Sequence, residues 1–328
     1  MKLPAINPLP ALLLLLLGSV LLALHTGPVT VNWPEAWRAP MDSVDGLILW
    51  QLRLPRVLLA LAVGATLGLA GAALQGLLRN PLADPALVGV SSCAALGAVL
   101  VLYSGLAGAA WWLLPAGGMA GAALAVVIVF LLAGRDSSVL TLILAGVAIN
   151  AVMSSLIAMA LNFAPNPFAL SEIVFWLLGS VANRSFQDLA ISLPFMLLGW
   201  AVLLSTGRFL DALTLGEDSA RSLGFASGRL RWRLVLGVAC CVGAAISVSG
   251  NIGFVGLVVP HLLRPWVGYQ PSRLLLASAL AGASLLVLAD VLAQTLSPGQ
   301  ELKLGVVTAL VGGPFFLHLV YRTRNNLL

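Results

Sequence analysis

Stretches of about 20 residues with almost no charge recur along the whole chain, from "ALLLLLLGSVLLAL" at 11–24 to "VVTALVGGPFFLHLV" at 306–320. Glycines, prolines and short charged clusters separate them. At about 1.5 Å rise per residue, a run of that length matches the roughly 30 Å hydrocarbon core of a bilayer. Lipid offers the backbone no hydrogen-bond partners, so such runs have to be helices that satisfy their own amides and carbonyls. A membrane barrel would alternate polar and apolar positions, and these runs do not. Composition closes off the soluble alternative: 60% of the 328 residues are hydrophobic and 9% charged, where a soluble domain carries about a quarter charged residues. The expectation is an all-α integral membrane protein, one transmembrane domain over 1–328, with the bilayer as its solvent.

Ten spans are expected, near 9–25, 52–76, 87–107, 112–133, 139–161, 189–206, 233–250, 253–267, 273–296 and 305–321. The first is read as an uncleaved span, because no small-residue cleavage site follows it. With both termini cytoplasmic, the inside loops collect Lys2, Arg79, Arg135, Arg208, Arg221, Arg229, Arg231, Arg233, Arg264, Arg273, Arg322 and Arg324. The outside keeps Arg38, Arg53, Arg56, Arg184 and Lys303, so the basic residues favour that orientation.

Little in the spans offers chemistry. Cys93, Cys240 and Cys241 fall in apolar runs, and His25, His261 and His318 are scattered, so no metal site is suggested. A membrane enzyme would need convergent ionisable groups at one depth, and the clearest such residue is Asp290, read as a hydrogen-bonding group in the bundle. Sliding the chain by 179 residues lays "VGATLGLAGAALQGLLRNP" at 63–81 over "VGAAISVSGNIGFVGLVVP" at 242–260, pairing Gly64 with Gly243, Gly71 with Gly250 and Pro81 with Pro260. The second copy starts five spans later, an odd number, so the copies run in opposite directions, an inverted repeat of the kind transporters use. Gly64, Gly68, Ala72 and Gly76 recur every fourth residue, as do Gly117 and Gly121, a spacing that lets helices approach closely.

One piece breaks the apolar pattern: "DALTLGEDSARSLG" at 211–224, followed by "SGRLRWR" at 227–233, together a cytoplasmic loop at 211–233. Thr214 and Glu217 have capping-box spacing, Glu217 and Arg221 lie one turn apart, and Gly224 suits a helix stop. The result is a helix of about nine residues, too short to stand alone in water. It needs a surface to pack on. The basic piece after it suits anionic lipid headgroups.

The stretch "LTLGEDSARSLG" resembles the coupling-helix segment of the FecCD-type permease subunits of ABC importers for iron chelates, haem and vitamin B12. The likeness extends through "RLPRVLLALAVGATLGLAGAALQGLLRNPLADPALVGVSS" at 53–92, "LILAGVAINA" at 142–151, "FWLLGSV" at 175–181, "GNIGFVGLVVPHLLR" at 250–264 and "GVVTALVGGPFFLHLV" at 305–320. It implies the type II importer fold, in a multi-pass subunit of a bacterial inner membrane. It also implies a second permease subunit, as a homodimer, an ABC ATPase docked on each cytoplasmic loop, and a periplasmic substrate-binding protein. Nucleic acid is no partner. The chain is then no enzyme and binds no cofactor; ATP and Mg belong to the partner ATPase, and no G-x-x-x-x-G-K-[ST] phosphate loop occurs here.

The same resemblance assigns residues. Leu215, Gly216, Glu217, Asp218, Ser219, Ala220, Arg221 and Gly224 would form the ATPase-coupling surface. Arg53 and Arg56, with Lys303, would meet acidic residues of the binding protein; a third family cation falls on Gln294, a departure. Asn80 and Leu82 of "RNPLADP", with Val139 and Leu140, are gate candidates, and Asn150, Met153 and Ser154 would line the path. The implied cargo is a metal chelate, haem or a ferric siderophore ahead of cobalamin. The competing expectation is an ion-coupled secondary transporter built on inverted repeats.

Overall fold

The computed structural model describes residues 8–134, 138–296 and 302–325. Lys2 and Arg135, two of the basic residues counted above, lie outside these. The described chain is helical. In order it forms α1 (Leu9–His25), α2 (Trp33–Arg38), α3 (Val44–Leu47), α4 (Leu54–Leu78), α5 (Val90–Tyr103), α6 (Leu113–Ala133), α7 (Val139–Asn162) and α8 (Pro167–Leu177). It continues through α9 (Phe186–Leu204), α10 (Gly207–Leu213), α11 (Glu217–Ser222), α12 (Ser227–Ser249), α13 (Val255–Leu263), α14 (Pro271–Leu296) and α15 (Leu304–Asn325).

All ten expected spans fall on helices, six of them long and apolar enough to cross a bilayer unaided among the described residues. The one expected at 253–267 is the nine-residue α13, whose length of about 13 Å is under half of a bilayer core. α12 ends at Gly250, which takes φ 70°, and Phe254 takes φ 68° just before α13 starts. Those two left-handed residues leave no room for a continuous helix. The last turn of α12 is tied to the segment after α8, and that segment to the start of α15: Ser180 N–H donates to the Ser249 carbonyl at 2.7 Å, and Gly305 N–H to the Gly179 carbonyl at 3.3 Å. The matched stretches 63–81 and 242–260 therefore differ locally, since α4 runs unbroken through Gly71 whereas its counterpart Gly250 ends α12. α8 and the short α2 and α3 fall outside the ten expected spans.

The core is built by backbone approach. On α4, a methyl at Gly64 would overlap the Gly282 carbonyl of α14, and one at Gly68 would overlap the Ser278 carbonyl. α5 and α6 repeat the device, with Gly121 against the Cys93 carbonyl. This is small-residue packing of membrane helices. Buried polar groups join the same elements. Trp200 Nε1 of α9 donates to Thr66 Oγ1 of α4 at 2.8 Å. Gln75 Nε2 donates to the Leu257 carbonyl of α13 at 3.2 Å, and Gln75 Oε1 accepts from Arg264 at 2.6 Å. Arg56 of α4 grips Asp290 of α14 bidentately, both contacts at 2.8 Å, and Gln294 adds a third bond to the same carboxylate at 2.9 Å. Asp290 is thus a structural hydrogen-bonding group, as its sequence context indicates.

Candidate coupling site and translocation face

The charged stretch folds as a compact two-helix unit at one end of the bundle. α10 is anchored by Phe209 and Leu210, both fully buried, and Phe209 meets Phe225 at a centroid distance of 5.9 Å. α11 is six residues long, not nine, because Thr214 does not cap it. The Thr214 hydroxyl donates to the Asp211 carbonyl at 2.7 Å, and Gly216, at φ 105°, occupies the cap position without a side chain to offer. What favours the helix is charge: Glu217 and Asp218 in the first turn, Arg221 in the last, and an Arg221–Glu217 pair at 2.8 Å. Its end is a Schellman motif, with Gly224 N–H donating to the Arg221 carbonyl at 2.9 Å and Phe225 N–H to the Ala220 carbonyl at 3.1 Å. Gly224 takes φ 88°, so it is the helix stop its position suggests.

The expected coupling residues divide by exposure. Leu215, at 69% exposure, points into solvent with Asp218, Arg221 and Gly224, whereas Ala220 is fully buried and fixes α11 to the bundle. Gly216, Glu217 and Ser219 are half-buried. Leu223, which the motif did not single out, is 63% exposed on the far side of α11. Two exposed leucines thus flank one short charged helix. The basic piece behaves differently from the expectation of a headgroup contact: Arg229 and Arg233 are exposed, but Arg231 is 6% exposed and pairs with Glu217.

At the opposite end of α4 the expected docking cations are turned inward. Arg53 is 8% exposed and donates to the carbonyls of Leu24, at 2.6 Å, and Val29. It is committed to tying the end of α1 to the loop after it. Arg56 is committed to Asp290 and keeps 22% of its side chain exposed. Lys303 lies 5.5 Å over the Phe175 ring, in a cleft also lined by Glu172, Trp176, Asn183 and Arg184.

The gate candidates lie on two connected segments. α4 ends at Arg79 in the left-handed region, and Asn80 Oδ1 accepts from Leu82 N–H at 2.9 Å, so the Asn80 side chain stabilises its own turn. The loop then packs on α7, where a methyl at Gly146 would overlap the Leu87 carbonyl. Asn80 is exposed and Leu82 half-buried, as Val139 is, while Leu140 at the start of α7 is 64% exposed. Higher on α7, Asn150 and Ser154 share an exposed face, but Met153 is 8% exposed and points into the core. Met153 therefore does not line that face, since it falls about 100° round the helix from its neighbour Ser154.

Comparison with known proteins covers most of the chain. The model of the FecCD transport family matches residues 13–322. The chain is 39% identical over 299 residues to the vitamin B12 import system permease protein BtuC of Vibrio cholerae, covering 89% of each chain. It is 37% identical over 331 residues to the hemin transport system permease protein HmuU of Yersinia pestis, covering 96% of this chain and 95% of that one. Its fold matches a solved inward-facing conformation of a metal-chelate type ABC transporter with a TM-score of 0.86 and 35% identity, over 96% of this chain and 98% of the other.

Proposed function

The chain belongs to the FecCD transport family and is a transmembrane permease subunit of an ATP-driven importer whose ATPase is a separate subunit; from that premise we propose that it moves a metal chelate, haem or a ferric siderophore ahead of cobalamin. It acts as a homodimer in a bacterial inner membrane, with both termini cytoplasmic. A substrate-binding protein delivers the cargo from the periplasm. MgATP is bound and hydrolysed on the partner ATPase.

One observation carries the reading. Leu215 just before α11 and Leu223 just after it, both more than half exposed, bracket Asp218 and Arg221 in the chain, and an apolar pair with a charged centre suits insertion into a groove of another protein. The coupling surface in this proposal is Leu215, Gly216, Glu217, Asp218, Ser219, Ala220, Arg221 and Gly224, with Leu223 added. Asn150 and Ser154 give α7 a polar exposed face that bulk lipid would disfavour, which supports placing the path and the second subunit there. Asn80, Leu82, Val139 and Leu140 form its cytoplasmic constriction. On the outer side, Lys303 and the exposed part of Arg56 are the docking charges, and Arg53 is withdrawn from that role by its burial.

The test is reconstitution. The chain is purified with its co-expressed ATPase in liposomes, and haem, ferric siderophores and cobalamin are each offered with candidate binding proteins. One of them stimulates ATP hydrolysis if the proposal is right. A complex whose ATPase no chelate stimulates, with any binding protein, refutes the cargo assignment.

A further inference from the structure

Besides its buried anchors Phe209, Leu210 and Ala220, the coupling unit meets the membrane helices through two acidic side chains, each bonded to a different long helix. Asp211 of α10 accepts the Ser272 N–H at 2.8 Å and the Gln270 amide at 3.2 Å, so its carboxylate satisfies the open first turn of α14 from another element. α10 also begins against that turn, where a methyl on Gly207 would stand 3.1 Å from Ser272 Cβ. Glu217 of α11 accepts from Arg231 in the second turn of α12, and the Arg231 side chain is only 7% exposed. Both bonds are charge-assisted, the strong kind. α12 and α14 are the helices on either side of α13 in the chain. α13 joins them through two non-helical links, one with Gly250 and Phe254 and one with Gly268 and Tyr269 at positive φ.

We infer that Asp211 and Glu217 are two pins through which a displacement of α10–α11 reaches the membrane, Asp211 acting on α14 and Glu217, through Arg231, on α12. Neither touches cargo or nucleotide. They are positioning residues, and α13, hung between the two pinned helices, is the element that swings when both are pulled together. The inference rests on the importer reading, because it presupposes an ATPase that moves α11.

Pulsed electron resonance on the full complex with its ATPase in liposomes tests it. Spin labels go at Leu262 of α13 and Leu124 of α6, both about half exposed, in a Cys240→Ser background. The parent complex should change its inter-label distance by about 2 Å or more on adding ATP and vanadate, the scale of a helix shift. Asp211→Ala and Arg231→Met should each cut that change to less than half, while the amount of ATPase co-purifying stays within about twofold, because the exposed face of α11 is untouched. Arg231→Lys, which keeps a charged donor for Glu217, and Asp211→Asn, which keeps one acceptor for Ser272 N–H, should recover most of the movement. These conservative variants separate pinning from folding. If Asp211→Ala and Arg231→Met assemble and still move α13 as the parent does, the pins are wrong and the importer reading stands. If the parent itself shows no nucleotide-driven change, both fall.

Discussion

α4 and α7 are alike in composition and opposite in surroundings. Both are long apolar helices, yet 83% of an 18-residue apolar stretch of the span that contains α4 is buried inside the subunit and only 28% of such a stretch of α7 is. The difference lies in what each places at its small positions. α4 sets Gly64 and Gly68 against carbonyls of α14, so the two backbones touch and no other arrangement of the pair keeps both contacts. α7 puts Asn150 and Ser154 on its open side and leaves that side uncovered. One helix is fixed by what it lacks, and the other is available for what it still carries.

The sharpest way to break this contrast is to add bulk to the seam. Gly68→Leu would drive its side chain into the Ser278 carbonyl and should destabilise the subunit by about 3 kcal/mol or more, overpacking with rigid backbone on the other side. It should fail to elute as a monodisperse peak in detergent. Gly313→Ala on α15 has nothing within 4 Å to meet, and should leave the purified chain as stable or raise its thermal midpoint slightly. Equal tolerance at the two glycines would end the distinction. Next in size is the ion pair. Arg56→Ala strands the Asp290 carboxylate at 4% exposure and should cost about 3 kcal/mol, less than a fully buried pair because Arg56 keeps some water. The double replacement Arg56→Met with Asp290→Leu should recover most of that loss in thermal unfolding. A double variant no better than Arg56→Ala would mean that the charges do more than join α4 to α14. The smallest effect belongs to α7. Ser154→Leu should change stability by less than about 0.5 kcal/mol, since Ser154 is exposed in the subunit, yet lower ligand-stimulated ATP hydrolysis in the assembled importer. A stability loss as large as that of Arg56→Ala would place Ser154 in the core instead.

What the sequence disclosed followed from how local each signal was. The spans are legible because lipid imposes one length and one hydrogen-bonding solution, and the stop at Gly224 because left-handed backbone selects glycine. The seam glycines were visible as a fourfold spacing, although nothing in the spacing named α14 as the partner. Three features were hidden. α13 reads as a full span because apolar residues continue through Val267, but the left-handed Phe254 delays its start and the helix ends at Leu263, two residues before Pro265, with Gly268 and Tyr269 at positive φ beyond it. The inward turn of Arg53 depends on carbonyls 24 and 29 residues earlier in the chain, which no local pattern reports. The expected cap on α11 is absent because Thr214 closes α10 instead, with helical backbone and its hydroxyl bonded back to the Asp211 carbonyl, a local alternative that spacing alone does not resolve. Of the site, the coupling segment was legible as a charged helix with a partner to find, while its attachments to α12 and α14 belong to tertiary structure.

The α4–α14 seam also bears on how such a chain can change over generations. Its contacts run from glycine Cα to carbonyl, so almost every substitution at Gly64, Gly68 or Gly282 adds atoms where none fit, and selection there is for the absence of a side chain. The open face of α7 carries no such veto. Lineages are free to rewrite the residues around Asn150 and Ser154 while inheriting the same frame. Within a saturation library of this chain, the seam would mark the slow clock and α7 the fast one.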